Sequence, residues 1–274
     1  MKQLIPDNLQ GEELFKYLLK NKHLLITEKK SEIKKADAVT VLSPLHVDKS
    51  GNIVKEQSNV PESATEVQAT LIINTTNWFD SHKDVHLPGI WKKSLSENKD
   101  VLLLQEHTMR FENVISDDVK AFTKNFKWTE LGLNIPGVTE ALVFDSRIEK
   151  SRNEFMFNQY RKGYVKNHSV GMIYVKIELA INSDDEYYKE EFAVWNKYID
   201  QIVNRDQAEA SGYFWAVKEA KVVEGSAVVK GSNIMTPTYS ISSKSTEQEP
   251  PLGTQSQPQK FDLMDAISKT NFFN

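Results

Sequence analysis

Short apolar segments rich in β-branched residues recur between residues 66 and 228, and this pattern constrains the fold more than any other feature. The first segment is EVQATLIINTTNW, and later ones include VTEALVFDS, HSVGMIYVKIEL and WAVKEAKVVEGSAVV. Gly, Pro, Asn, Asp or Ser residues bound these segments, as is typical of strands. A few helical patterns lie between them, without the regular spacing of βαβ units. The pattern therefore favours an α+β or barrel-like domain.

Two helices are predicted inside this region. The first covers residues 146–163, SRIEKSRNEFMFNQYRKG, and Phe155 and Tyr160 are its candidate core residues. The second covers residues 184–210 and is long and acidic, with Ser183 or Asp184 as a plausible N-cap. We interpret it as a helical insertion in the main domain.

The chain divides by composition into three parts. Residues 1–65 form a lysine-rich N-terminal extension, in which residues 12–35 predict one or two amphipathic helices. Residues 66–240 form the main domain. Residues 241–274 form a polar tail that is too poor in apolar residues to fold alone until it reaches FDLMDAISKTNFF. This last segment is interpreted as a docking peptide on a flexible tether, or as a helix that packs on its own domain.

Composition excludes several classes of function. The 274-residue chain has no cysteine, which excludes disulfides, thiolate catalysis and zinc–thiolate sites. A net charge of -4 provides no basic field that would favour nucleic acid. The chain also has no apolar run long enough to cross a bilayer and no signal-peptide pattern at its start. We expect a soluble cytoplasmic protein with no cofactor, no nucleic acid and no membrane partner.

A histidine and a serine stand side by side in NHSVGMIYVK, and strand alternation separates them. In an extended segment Ser169 shares the apolar face with Gly171, Ile177 and Leu179, whereas His168 lies on the opposite face. His168 is therefore a poor candidate for the base that activates Ser169. A base for this serine has to come from another part of the chain.

Two further polar residues stand at the ends of apolar strands. Glu224 shares a face with Val222 and Ser226, so it lies either in water at a strand end or against a partner such as an imidazolium. His107 directly follows an apolar run that reads as a buried strand, a position that suits a structural or a catalytic histidine. In the order His107, Ser169, Glu224, the three supply the base, the nucleophile and the orienting acid of a serine hydrolase.

Four segments in this order resemble the caudoviral prohead maturation protease family, which is related to the herpesvirus maturation protease. They are FDSHKDVHLPGIWKKSL (79–95), LLLQEHT (102–108), NHSVGMIYVK (167–176) and EGSAVVKGSN (224–233). The chain departs from the family pattern in its N-terminal extension, in the insertion at 184–210, and in Gly231, which replaces a common proline.

The resemblance implies a small, closed, mostly antiparallel β-barrel flanked by helices. It also implies a serine endopeptidase with catalytic residues His107, Ser169 and Glu224. The expected partners are the major capsid protein and the scaffold as protein substrates, together with a possible homo-oligomer. The expected location is the host cytoplasm, inside the assembling procapsid, and cleavage of the chain by itself is a further expectation.

Two other functions are compatible with the sequence. DSHKDVH places Asp80, His82, Asp84 and His86 at alternate positions, so an extended segment would align four ligands for a metal-dependent hydrolase. A catalytically inactive capsid assembly or scaffolding factor would retain the fold and use the tail for docking.

Overall fold

A computed structural model describes residues 5–31, 33, 60–97 and 100–243 of the chain. They belong to one compact unit, Met1–Lys244. Helices and mostly antiparallel sheets make up this unit, which confirms the α+β class. The proposed docking peptide and almost all of the predicted tail lie outside the described residues. No helix in the described part of the chain is both long and apolar enough to span a membrane.

Six α-helices and nine strands are formed by the described residues. The helices are α1 (Gly11–Lys20), α2 (Lys22–Ser31), α3 (Lys92–Glu97), α4 (Glu154–Arg161), α5 (Lys189–Tyr198) and α6 (Arg205–Ser211). The strands are β1 (Glu66–Thr75), β2 (Asp84–His86), β3 (Leu103–Gln105), β4 (Val114–Ser116), β5 (Asp118–Lys127), β6 (Val138–Glu149), β7 (Asn167–Ile181), β8 (Tyr213–Val228) and β9 (Thr238–Ser242).

The strands form two sheets. The first has the order β5-β6-β1-β9 and is antiparallel throughout. The second is organised around the long strand β8. Strand β7 pairs antiparallel along nearly all of β8, while β2 and β3 pair parallel with its first and second halves. No closed barrel is found among the described strands, so closure stays a prediction.

The core lies between the two sheets. Leu71 and Phe144 from the first sheet belong to the same apolar cluster as Val170, Val222 and Ala227 from the second. The sheets approach so closely that a Cβ on Gly225 would lie 2.5 Å from Phe144 Cε2. The N-terminal helices take part in this core, because Leu18 of α1 and Leu25 of α2 are buried in the same cluster. The predicted helical character of this N-terminal segment is confirmed.

Both internal helices are shorter than the sequence pattern indicates. Strand β6 continues to Glu149, so the first helix is reduced to α4; Tyr160 is buried there, but Phe155 is exposed. The predicted long acidic helix is two helices, α5 and α6, joined by a 3₁₀ turn and a short connection. The N-cap at the start of this helical region is Asp185 and not Ser183 or Asp184. The carboxylate of Asp185 accepts a hydrogen bond from Tyr187 N. Periodicity alone overestimates a helix when a flanking strand is also amphipathic.

Candidate active site

His107 stands at a sharp turn of the backbone where β3 ends. Glu106 and His107 both have left-handed conformations, with φ of 50° and 56°. Such values are unfavourable for residues with a Cβ and persist where surrounding contacts hold them. Two hydrogen bonds to β8 fix this turn. Glu106 N–H donates to Ala227 O at 2.9 Å, and His107 N–H donates to Ser226 Oγ at 3.1 Å.

The turn brings the imidazole of His107 against the carboxylate of Glu224. His107 Nδ1 and Glu224 Oε1 are 2.5 Å apart, and both side chains are buried. A carboxylate accepts, so Nδ1 carries the hydrogen of this bond and Nε2 of a neutral ring holds a lone pair. Nε2 is itself buried and has no hydrogen-bond partner among the described residues. The ring is therefore oriented on one side and available as a base on the other.

Glu224 reaches this position because β8 contains an extra residue. Gly171 pairs with Glu224 and the next residue, Met172, pairs with Val222, which leaves Val223 as a β-bulge. The bulge reverses the alternation of side chains along the strand. Val222 points into the core between the sheets, whereas Glu224 points to the opposite face. The predicted common face of Val222 and Glu224 is therefore wrong, although Glu224 and Ser226 do share one.

A glycine on the neighbouring strand leaves the space that Glu224 occupies. An ideal Cβ at Gly171 would lie 1.9 Å from Glu224 Oε1 and 2.7 Å from its Cδ. The carboxylate therefore lies directly over the Cα of Gly171, a position that no residue with a side chain could permit.

Ser169 lies on the same face as Glu224. It pairs directly with Ser226, and opposed residues in an antiparallel pair project to the same side. Ser169 is 5% exposed and borders a cavity of about 10 Å³, which is enough for one water. The lining of this cavity also includes Asn74, Ser232 and Asn233. No hydrogen bond joins its hydroxyl to Nε2 of His107. The structure thus joins His107 to Glu224 and places Ser169 opposite Ser226, on the strand face of Glu224, without a direct bond to His107 Nε2.

The predicted separation of His168 from Ser169 is confirmed, but the reason given for it needs correction. A second bulge, at Val175, returns Ile177 and Leu179 to the core face, which they share with Val170 and Met172. Ser169 is therefore on the face opposite the main core, and His168 is on the core side.

Both ring nitrogens of His168 have partners. Nδ1 donates to Thr236 O at 3.1 Å, and Nε2 accepts from the Tyr160 hydroxyl at 3.0 Å. Burial lowers the pKa of His168 to about 4, so the ring is neutral at pH 7. His168 fixes the start of β7 to the segment around Thr236.

The residues of DSHKDVH do not line up as an extended segment would align them. Residues 80–84 form a turn: Asp80 Oδ1 accepts from His82 N and Asp84 N, and Lys83 has φ of 60°. Only Asp84–His86 is extended, as β2. Among the described residues, no group of three or more His, Asp or Glu side chains is arranged to hold a metal ion. The geometry expected for the metal alternative is therefore wrong.

Asp84 and His86 instead belong to a buried polar network. Asp84 binds Lys29 of α2 at 2.5 Å and accepts from the Tyr174 hydroxyl at 2.6 Å, and His86 Nδ1 lies 2.9 Å from the amide of Asn74. Burial alone would raise the pKa of Asp84, but Lys29 and Tyr174 outweigh it and lower that pKa. Burial lowers the pKa of His86 to about 4.

Asp80 lies beside this network, where the positive charge of Lys29 only partly offsets the effect of burial on its pKa. Burial, with the neighbouring charge of Asp84, raises the pKa of Asp80 to about 7. The N-terminal extension, for whose lysines the sequence predicted no partner, thus supplies through Lys29 the ammonium group that pairs with buried Asp84.

Ser226 and Lys29 are two of the residues near these sites for which the sequence predicted no role. Ser226 had a visible signal, because it follows Glu224 by two residues and so shares a strand face with it. Lys29 had none, because its partner Asp84 is 55 residues away.

Comparisons of the chain with protein-family models, with curated proteins and with solved structures give no match. The geometry of the site therefore carries the functional argument, together with the sequence resemblance.

Proposed function

We propose that the chain is a serine endopeptidase in which His107, Ser169 and Glu224 act as base, nucleophile and orienting acid. The observation that carries this proposal is the buried contact between His107 Nδ1 and Glu224 Oε1, which leaves Nε2 without a partner. A histidine with only a structural role would be expected to use both nitrogens, as His168 does.

The proposed reaction is acyl transfer. Nε2 of His107 takes the Ser169 proton while Oγ attacks the scissile carbonyl. The tetrahedral intermediate collapses as His107 returns that proton to the leaving amine, and water repeats the sequence to release the acyl group. Glu224 holds the Nδ1–H tautomer and stabilises the imidazolium in both halves of the reaction.

Two movements have to accompany this chemistry. The Ser169 hydroxyl must come within hydrogen-bond distance of Nε2, a contact that is often loose before substrate binds. Because Ser169 and His107 are each 5% exposed, the residues that cover them must also open before a peptide can bind.

We further propose that the substrates are procapsid proteins, namely scaffold segments, parts of the major capsid protein and the chain itself. This proposal rests on the resemblance of four ordered segments to prohead proteases. On the same resemblance we propose that the two sheets correspond to the β-barrel of that family. The site geometry supports hydrolysis at serine, and the resemblance supports the choice of substrate.

Co-expression with the major capsid protein of the virus that carries the gene tests this function. We expect the capsid protein to be shortened with the wild-type chain and intact with Ser169→Ala or His107→Gln. Ser146→Ala is the matched control, because it removes a buried serine hydroxyl elsewhere in the fold. Undiminished processing by Ser169→Ala would refute the mechanism.

A further inference from the structure

We infer that Ser226 is a positioning residue for the reaction proposed above, because one hydroxyl holds both Glu224 and the backbone of His107. The Ser226 hydroxyl donates to Glu224 Oε2 at 2.6 Å and accepts from His107 N–H at 3.1 Å. It therefore connects the orienting acid with the turn that carries the base.

The chemistry of a hydroxyl suits this position. A serine oxygen can donate one hydrogen bond and accept two, so a single small side chain satisfies a carboxylate and an amide. Ser226 is fully buried, and neither partner could turn to water in its absence. Removal would leave a buried acceptor and a buried donor unpaired, and such groups seek new geometry.

Ser226 also keeps the two oxygens of Glu224 distinct. With Oε2 engaged by Ser226 and Oε1 engaged by His107, the carboxylate has both of its oxygens bonded and cannot rotate freely. The carboxylate also fills the space beside Gly171 in which a Cβ would stand. Because its hydrogen is donated to Glu224, Ser226 does not compete with Ser169 for the base, although the two serines face each other across the ladder.

Its contribution is expected to appear in rate and not in affinity. Loss of a hydrogen-bond partner that orients a reacting group commonly costs about 10- to 100-fold, as outer partners of metal ligands show. We expect Ser226→Ala to lower the maximal rate at which a fluorophosphonate labels Ser169 by this factor. The half-saturating probe concentration should stay unchanged, because Ser226 does not touch the probe.

The experiment compares Ser226→Ala with Ser226→Thr, which keeps the hydroxyl, and with Ser146→Ala, which removes a fully buried hydroxyl on β6. Proton NMR follows the His107 Nδ1 hydrogen, which should resonate far downfield in so short a bond to a carboxylate. We expect Ser226→Ala to shift or lose this resonance and to slow labelling. Ser226→Thr should restore both, and Ser146→Ala should change neither.

Wild-type labelling and an unchanged resonance in Ser226→Ala would overturn the inference. If the alanine variant does not fold, Ser226→Cys retains the volume with a weaker donor, and a wild-type rate in that variant would equally overturn it. A resonance that depends on Ser226 in a protein whose Ser169 is never labelled would support the positioning role and refute the proposed function.

Discussion

Replacement of Gly171 by alanine tests whether Glu224 occupies the position that the structure gives it. The added Cβ would lie 1.9 Å from Glu224 Oε1, whereas ordinary van der Waals contact begins at 3.4 Å. The oxygen must therefore retreat by about 1.5 Å, or the two strands must separate. A retreat of this size breaks the 2.5 Å contact with His107 and strains the bond to Ser226.

The expected cost follows from the burial of this pair. Breaking a buried, hydrogen-bonded pair costs about 3–5 kcal/mol, and the two strands cannot easily separate because they pair along almost their whole length. We therefore expect urea denaturation to show Gly171→Ala destabilised by about 3 kcal/mol or more. Fluorophosphonate labelling of Ser169 should fall together with stability, because His107 loses its orienting partner.

A double-mutant cycle separates this clash from other effects of alanine. In a Glu224→Ala background the added Cβ meets no carboxylate, so Gly171→Ala should then cost less than about 1 kcal/mol. Gly225→Ala is the matched control on the facing strand, because its Cβ would meet Phe144 and not Glu224. Its cost should be the same in both backgrounds. Equal costs for Gly171→Ala in the two backgrounds would refute the placement of Glu224.

Three further predictions concern buried polar groups outside the proposed catalytic residues. Lys29→Met should destabilise the protein by about 3–5 kcal/mol in urea denaturation, because it leaves Asp84 as an unpaired buried charge. Adding Asp84→Asn to this variant should recover part of the lost stability. A cost of Lys29→Met below about 1 kcal/mol would contradict the contact. As pH falls from 6.5 to 4, His168 becomes protonated in the unfolded chain but not in the folded chain. The wild type should therefore lose up to about 3 kcal/mol of stability relative to His168→Gln over this range. A stability difference between the two proteins that does not change with pH would rule out the buried neutral ring. The pH dependence at Asp80 runs the other way, because Asp80 in the folded chain retains its proton up to about pH 7. The wild type should therefore lose stability relative to Asp80→Asn as pH rises from 4 to 7. A constant difference in stability over this range would exclude the raised pKa.

The sequence led to candidate residues for the site but not to their geometry. Residue type and strand position proposed His107, Ser169 and Glu224 as candidates, and alternation separated His168 from Ser169. The pairing of His107 with Glu224 depends on a turn with two left-handed residues after β3. Neither Glu106 nor His107 is a residue type that marks such a turn in the way that glycine does.

The faces of β7 and β8 could not be derived from alternation over their full length. Bulges at Val223 and Val175 reverse the alternation, and nothing in KVVEGS or IYVKIE marks where the extra residue stands. The exposed strand β5 had no clear apolar alternation that would predict it. The ion pair between Lys29 and Asp84 joins two distant segments, and such contacts are determined by the tertiary fold.

Covalent labelling of Ser169 tests the central claim most directly. The purified 274-residue chain is incubated with a fluorophosphonate, which loses fluoride as Oγ bonds to phosphorus, and the modified residue is identified by mass spectrometry. We predict a single adduct on Ser169 that is absent in Ser169→Ala, strongly reduced in His107→Gln and Glu224→Gln, and unchanged in Ser146→Ala. No adduct on the folded wild-type protein, or equal labelling of wild type and His107→Gln, would contradict the account.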